Sequence, residues 1–290
     1  MVELALREPL EEVFLNTDFA SDRGLAFGHG VFETMRFKNF DIPFKNKHFK
    51  RLKKGASVLN IDLIDHCLDQ YLADIIEKLK AKQISSGVLK LIITAGSSDS
   101  GYACPPNLEP NFFFKVRSLQ EITTHTDIAM NKLGICKHRI PTNPQIASIK
   151  HLNRLDQVLA SLEMQSSGFF DGIMLDHHDR IIETTSSNIF LKSRKSEWLT
   201  PEISDCGISG VMREVLINEI FPKLETDITE CTISMDTLHD SKEIFICNSV
   251  RGIVRINEVI SDKGIIFECK SISKDVADLK NMLSKTYSCF

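Results

Sequence analysis

No stretch of this chain approaches the roughly 20 consecutive apolar residues that a membrane-spanning helix requires. No two of the eight cysteines, Cys67, Cys104, Cys136, Cys206, Cys231, Cys247, Cys269 and Cys289, lie closer than 16 residues. That spacing leaves no CxxC pair and no zinc-finger pattern. There is no G-x-G-x-x-G after a strand, no P-loop, no H-E-x-x-H and no G-x-S-x-G. Neither sign of charge dominates: Lys plus Arg is 35, Asp plus Glu is 39, and the net charge is −4. A generic polyanion binder is therefore excluded, and no nucleic-acid partner is expected. With 42% hydrophobic and 26% charged residues, disorder and a collagen-like repeat are excluded too.

The 290 residues suggest one or two domains at about 150 residues each. A chain of this size buries roughly three quarters of its unfolded surface, so no covalent staple is needed. Glu3, Arg7, Glu8, Glu11 and Glu12 interrupt the apolar residues of the first fifteen, so these do not read as a secretory leader. Reduced thiols and a cytoplasmic location are the expectation.

Phe49, Leu52, Ala56 and Leu59 recur at helical spacing within Asn46–Leu59, and Asp65–Leu79 reads as a second helix. Residues 87–94 and 112–116 are β-rich, separated by a Gly/Ser/Pro loop. A polar stretch from Ser118 to Thr126 has no apolar period and reads as a linker. Beyond it, Ile128–Ile140 predicts a strand and His151–Met164 a helix with Leu152, Leu155, Val158, Leu159 and Leu162 along one side. Residues 172–175 and 181–182 flank a polar turn and predict a β-hairpin. Its adjacent His177 and His178 read as surface turn residues, not metal ligands. Further strands are expected at 188–191 and 243–247, and helices at 211–220 and 276–283. Strands and helices mix without βαβ alternation, which predicts an α+β protein of two lobes.

Three local features carry chemistry. Ile146-Ala-Ser-Ile-Lys150 ends an apolar run at a lysine. A surface lysine is the bland reading, but a desolvated one has a depressed pKa and can attack a carbonyl to form a Schiff base. Glu183 stands between apolar strand residues and a hydroxyl-rich loop, 184–188; the bland reading is an ordinary turn. Cys206-Gly-Ile-Ser-Gly-Val-Met-Arg213 reads as a glycine-flanked helix start that suits a phosphate, or simply as an N-cap at Ser209. A lysine, a carboxylate and a phosphate cradle are together what a pyridoxal phosphate enzyme needs.

Ser21-Asp-Arg-Gly-Leu-Ala-Phe-Gly-His-Gly-Val-Phe-Glu-Thr34 resembles the N-terminal signature of the class IV, fold-type IV pyridoxal phosphate enzymes. His48-Phe-Lys-Arg51-Leu and Glu183-Thr-Thr-Ser-Ser-Asn-Ile-Phe190 resemble two more of their motifs. That family includes D-amino acid and branched-chain aminotransferases and aminodeoxychorismate lyases. The likeness is nearest to the lyase branch, through Ile149-Lys-His-Leu-Asn-Arg-Leu155, Gly207-Ile-Ser-Gly-Val-Met-Arg213 and Ile246-Cys-Asn-Ser249, and matches run from about residue 21 to 256.

The resemblance implies a smaller N-terminal α/β lobe (1–118), a linker (119–126) and a larger C-terminal cofactor-binding lobe (127–290) with a β-barrel-like sheet. It implies that Lys150 holds pyridoxal 5'-phosphate and serves as catalytic base, with Thr34 assisting. Glu183 would face the pyridine nitrogen, while Arg51, Ile208, Ser209 and Ser249 would hold the phosphate. The usual Gly-Asp-Gly is Gly28-His29-Gly30 here, and the arginine often found before Gly-Tyr in the substrate loop is Ser100. Arg251 and Tyr102 are therefore the candidate substrate-binding residues. No metal is expected, and the implied assembly is a homodimer. The implied reaction converts 4-amino-4-deoxychorismate to 4-aminobenzoate and pyruvate for folate synthesis. The alternatives are an aminotransferase of D-amino or branched-chain acids, and a silent family member that only binds partners.

Overall fold

The computed structural model describes residues 13–14, 19–63, 68–118, 131–269 and 274–290. The first described elements are a two-residue strand β1 (Val13–Phe14), the short helix α1 (Arg23–Phe27), β2 (Gly30–Lys38), α2 (Lys45–Val58) and α3 (Leu68–Ala81). Strands β3 (Ser86–Thr94) and β4 (Asn111–Ser118) complete an antiparallel sheet in the order β1-β4-β3-β2. Alternation along β2 and β3 turns Val31, Met35, Phe37, Leu89, Leu91 and Ile93 to one face. There they join Phe49, Leu52 and Ala56 of α2 and Leu68, Leu72 and Ile75 of α3 in one buried core. The predicted helices over 46–59 and 65–79 and both strands are found within a few residues; Asp65–Cys67 lie outside the described residues, as do the linker 119–126 and the first residues of the strand predicted from Ile128.

Next come β5 (Lys132–Ile140), α4 (Leu155–Ser166), β6 (Asp171–Asp176), β7 (Ile181–Thr184), β8 (Asn188–Lys192) and β9 (Trp198–Pro201). Helix α5 starts at Val211–Val215 and continues through a π turn, Leu216–Ile220, to Phe221–Lys223. The remainder is β10 (Ile228–Cys231), α6 (Met235–His239), β11 (Glu243–Asn248), β12 (Gly252–Ile256), β13 (Glu258–Ser261), β14 (Gly264–Glu268) and α7 (Asp275–Thr286). The sheet expected to be barrel-like is two five-stranded sheets, β10-β9-β8-β11-β12 and β14-β13-β5-β6-β7. They share one apolar core in which Leu133, Ile173 and Ile181 meet Ile189, Ile244 and Ile246.

One local expectation changes. The helix predicted from His151 starts only at Leu155. Residues 150–152 run extended beside β2: the Phe32 amide donates to the Lys150 carbonyl at 3.0 Å, and the Leu152 amide to the Gly30 carbonyl at 2.9 Å. Pairing with a strand from the other end of the chain overrides the local helical period, and it fixes the backbone of Lys150.

Candidate active site

A cavity of about 310 Å³ lies where β2 meets the C-terminal sheets and the start of α5; its wall includes Phe32, Thr34, Arg51, Lys150, Glu183 and Ser249. Residues more than 200 positions apart thus converge on one space. Lys150 points its ammonium at the Phe32 ring, 4.4 Å from the centroid. Burial first, then the nearby Arg51 and Arg154 guanidiniums, depress its pKa to about 8, against the opposing pull of Glu33 and Glu183. An amine so placed is neutral far more often than an exposed lysine.

Glu183 lies one residue before the end of β7 with its carboxylate buried. The Ile208 amide donates to Oε2 at 2.9 Å and Gln157 Nε2 donates to Oε1 at 3.2 Å. Burial raises the carboxyl pKa, opposed by that amide, by Arg154 and by Lys150. The following loop does bond to itself, the Ser187 amide donating to Thr184 Oγ1 at 3.0 Å and the Thr184 amide to the Ser187 carbonyl at 2.8 Å, but it is tied to a neighbouring strand as well. Its hydroxyls converge on buried Asp171, which accepts from Thr184, Thr185 and Ser186 at 2.7 to 2.9 Å. This anchoring fixes the cavity wall contributed by residues 184–187.

Arg51 lies on α2 and is clamped from behind. Its Nε and Nη2 donate to Glu33 Oε1 and Oε2 at 2.7 and 2.6 Å, and Nη1 donates to the Ser209 carbonyl at 3.0 Å. His48, one helical turn earlier, contacts Glu33 Oε2 at 2.6 Å through Nδ1. Burial pushes the Glu33 carboxyl up, but Arg51 and His48 outweigh it and hold the pKa at about 2. Buried Glu33 therefore stays ionised and fixes the guanidinium plane.

The predicted phosphate donors are rearranged. The Ile208 amide serves Glu183, and the Ser209 amide donates to the Ser148 carbonyl at 3.1 Å. Ser209 is not the N-cap of α5; Gly210 is, without a capping side chain. Gly210, Val211 and Met212 line the cavity, so the first turn of α5 presents amides that lack intrahelical partners. Ser249 Oγ donates to the Thr34 carbonyl at 3.0 Å, tying the β11–β12 turn to β2. A side-chain cation, a helix start and a hydroxyl thus line the same cavity as Lys150 and Glu183. The donor set fits an aldehyde-bearing pyridine phosphate.

Arg251 and Tyr102 are not among the cavity-lining residues. Arg251 stacks over Phe170, 4.6 Å from its centroid, and Tyr102 is 91% exposed. His29, standing where the family carries Asp, bridges two elements: Arg23 Nε donates to Nδ1 at 3.3 Å, and Nε2 lies 2.7 Å from the Leu59 carbonyl. Buried Arg23 also donates to the carbonyls of Ser100, Gly101 and Tyr102 at 2.8 to 3.0 Å, holding that loop by its backbone. Sequence reasoning missed Glu33, His48, Asp171 and Arg154. Arg154 lines the cavity and donates from Nε to the His151 carbonyl at 3.1 Å. Its place in the Lys-His-Leu-Asn-Arg run, four residues past Lys150, was the available signal.

This fold and site define a class, and comparison with known proteins agrees. A profile of the amino-transferase class IV family matches residues 30–259. The chain belongs to that family, whose members work with pyridoxal 5'-phosphate. It is 28% identical to an aminodeoxychorismate lyase of Vibrio harveyi over 82% of this chain and 86% of that protein. It is 24% identical to a putative branched-chain-amino-acid aminotransferase of Methanocaldococcus jannaschii over 89% and 90%. The crystal structure of 4-amino-4-deoxychorismate lyase from Pseudomonas aeruginosa superposes with a TM-score of 0.83 at 29% identity, covering 96% of this chain and 99% of that one.

Proposed function

We propose that this chain is a pyridoxal-phosphate-dependent lyase that converts 4-amino-4-deoxychorismate to 4-aminobenzoate and pyruvate. The observation that carries this reading is the desolvated, readily neutralised Lys150 amine sharing one cavity with Glu183 and with Thr34. The likeness to the Pseudomonas and Vibrio lyases, over more than four fifths of the chain, supports the lyase choice.

The cofactor, when bound, supplies an electron-withdrawing ring that acidifies the carbon bearing the substrate nitrogen. Glu183 would face the ring nitrogen with its carboxylate, and Arg51, the start of α5 and Ser249 would hold the phosphate. Lys150 would carry the cofactor at Nζ, and its free amine would take the proton from the substrate carbon bearing nitrogen. The same amine returns a proton to the methylene of the departing enolpyruvyl group. One C–O bond breaks, the ring becomes aromatic and no water is consumed. Thr34 orients the leaving group by a hydrogen bond.

The proposed assembly is a homodimer. On α4, Leu155, Val158, Leu159 and Leu162 are 49 to 74% exposed, and the exposed Phe170 follows the helix. A contiguous apolar face of this kind is what an isologous interface buries. No described helix is long and apolar enough to cross a membrane, and a cytoplasmic role in folate supply is the setting we propose.

The test supplies purified holoenzyme with 4-amino-4-deoxychorismate and follows pyruvate with lactate dehydrogenase. Stoichiometric pyruvate and 4-aminobenzoate are expected. Absence of pyruvate, together with amino-group exchange between amino and keto acids, would replace the lyase by an aminotransferase, the activity named for the Methanocaldococcus relative.

A further inference from the structure

The antiparallel register of β2, β3 and β4 sorts their side chains onto two faces. One is the apolar core on α2 and α3. The other carries Phe32, Thr34 and Arg36 from β2, Lys90 from β3, and Lys115 and Arg117 from β4. Described positions of β2 to β4 on this face hold no Asp or Glu. Lys90 is its centre, paired across the strands with Thr34 on one side and Lys115 on the other. Cross-strand partners have Cβ atoms about 5 Å apart, so Lys90 adjoins a residue of the cavity wall.

A second observation places it near the reactive amine. The Lys90 ammonium lies 5.0 Å from the centroid of the Phe32 ring, and the Lys150 ammonium 4.4 Å from the same centroid. One aromatic ring thus spans the gap between the two amines. No described carboxylate forms an ion pair with Lys90. Partial burial first, then Arg117 and Lys115, push its pKa down. A half-buried ammonium beside a binding cavity, with two further cations on the neighbouring strand, favours a negatively charged group on the ligand.

We propose that Lys90, backed by Arg117, is a carboxylate-binding residue of this site, selecting amines that carry a carboxylate at the end remote from the reacting nitrogen. This rests on Lys150 as the amine-accepting centre and not on the lyase reaction itself. It supplies a cation beside Phe32 and Thr34 of the cavity wall, where Ser100 offers none.

The experiment is isothermal titration of the holoenzyme with 4-aminobenzoate and with its neutral isostere 4-aminobenzamide. Wild type is expected to bind the carboxylate at least tenfold more tightly. Lys90→Met abolishes the difference and Lys90→Arg retains it, with the cofactor absorption band unchanged in both. For 4-amino-4-deoxychorismate, Lys90→Met raises KM at least tenfold and changes kcat less than threefold. A preference that survives Lys90→Met, or a wild type indifferent to the carboxylate, overturns the proposal. If wild type releases no pyruvate yet discriminates the two ligands through Lys90, the lyase reading falls and the carboxylate site stands. Pyruvate release at unaltered KM in Lys90→Met has the opposite meaning.

Discussion

Lys150→Met should stabilise the cofactor-free protein at neutral pH, although it abolishes activity. Burial and two guanidiniums bring the Lys150 pKa to about 8 from an ordinary 10.5. At about 1.4 kcal/mol per unit, that depression costs the folded state no more than about 3.5 kcal/mol, less where cavity water screens the amine. Between these two values the unfolded chain holds the proton more tightly than the folded one. Stability therefore rises with pH across the window from about 8 to 10.5, and below about 8 the full cost is present. Methionine has similar length and no charge. Urea titrations of both apo proteins should show the variant more stable by about 2 to 3 kcal/mol at pH 7. The advantage should shrink towards zero near pH 10.5. Titrations elsewhere in the protein cancel in the difference, because distant sites act additively. A pH-independent gap, or a less stable variant at pH 7, would refute the claim that Lys150 is held in a desolvating, cationic environment.

Three further outcomes follow from the geometry. Glu183→Gln removes the carboxylate opposite the ring nitrogen and should lower kcat by about 10²-fold or more, in the range of a lost proton-handling group, while cofactor absorbance persists. Glu33→Gln breaks a buried clamp on Arg51 and should cost about 3 kcal/mol or more in urea unfolding and weaken cofactor binding in an absorbance titration. Because the Glu33 pKa is held at about 2, its contribution in wild type is full above about 4.5 and is lost as pH falls towards 2, which acid unfolding curves will show. Leu159→Glu places a charge in the exposed apolar face of α4 and should convert a dimer to a monomer in sedimentation equilibrium, leaving the far-UV circular dichroism intact.

Much of the site was legible because its residues sit in short runs whose chemistry is local. Lys150 after an apolar run, Glu183 beside a hydroxyl-rich loop and Arg51 on a basic helix all line one cavity. What could not be read were the partners. The Ile208 amide looks free for phosphate in the sequence, and only folding brings it to Glu183. Glu33 looks like any solvated acid next to Thr34, until β2 buries it against α2. The period of residues 151–164 promised a helix with a buried side. His151 and Leu152 instead pair with β2, the helix starts only at Leu155, and its apolar side faces outward.

The sequence alone set the periods, the turn chemistry and the identities of the reactive groups, since these depend on neighbours a few residues away. Most helices and strands followed from that information. Tertiary structure decided which carboxylate clamps Arg51, which cations surround Lys150, and which sheet face carries Lys90 beside Thr34. Those are electrostatic and desolvation effects between residues up to about 100 positions apart, and they exist only once the chain has closed around them.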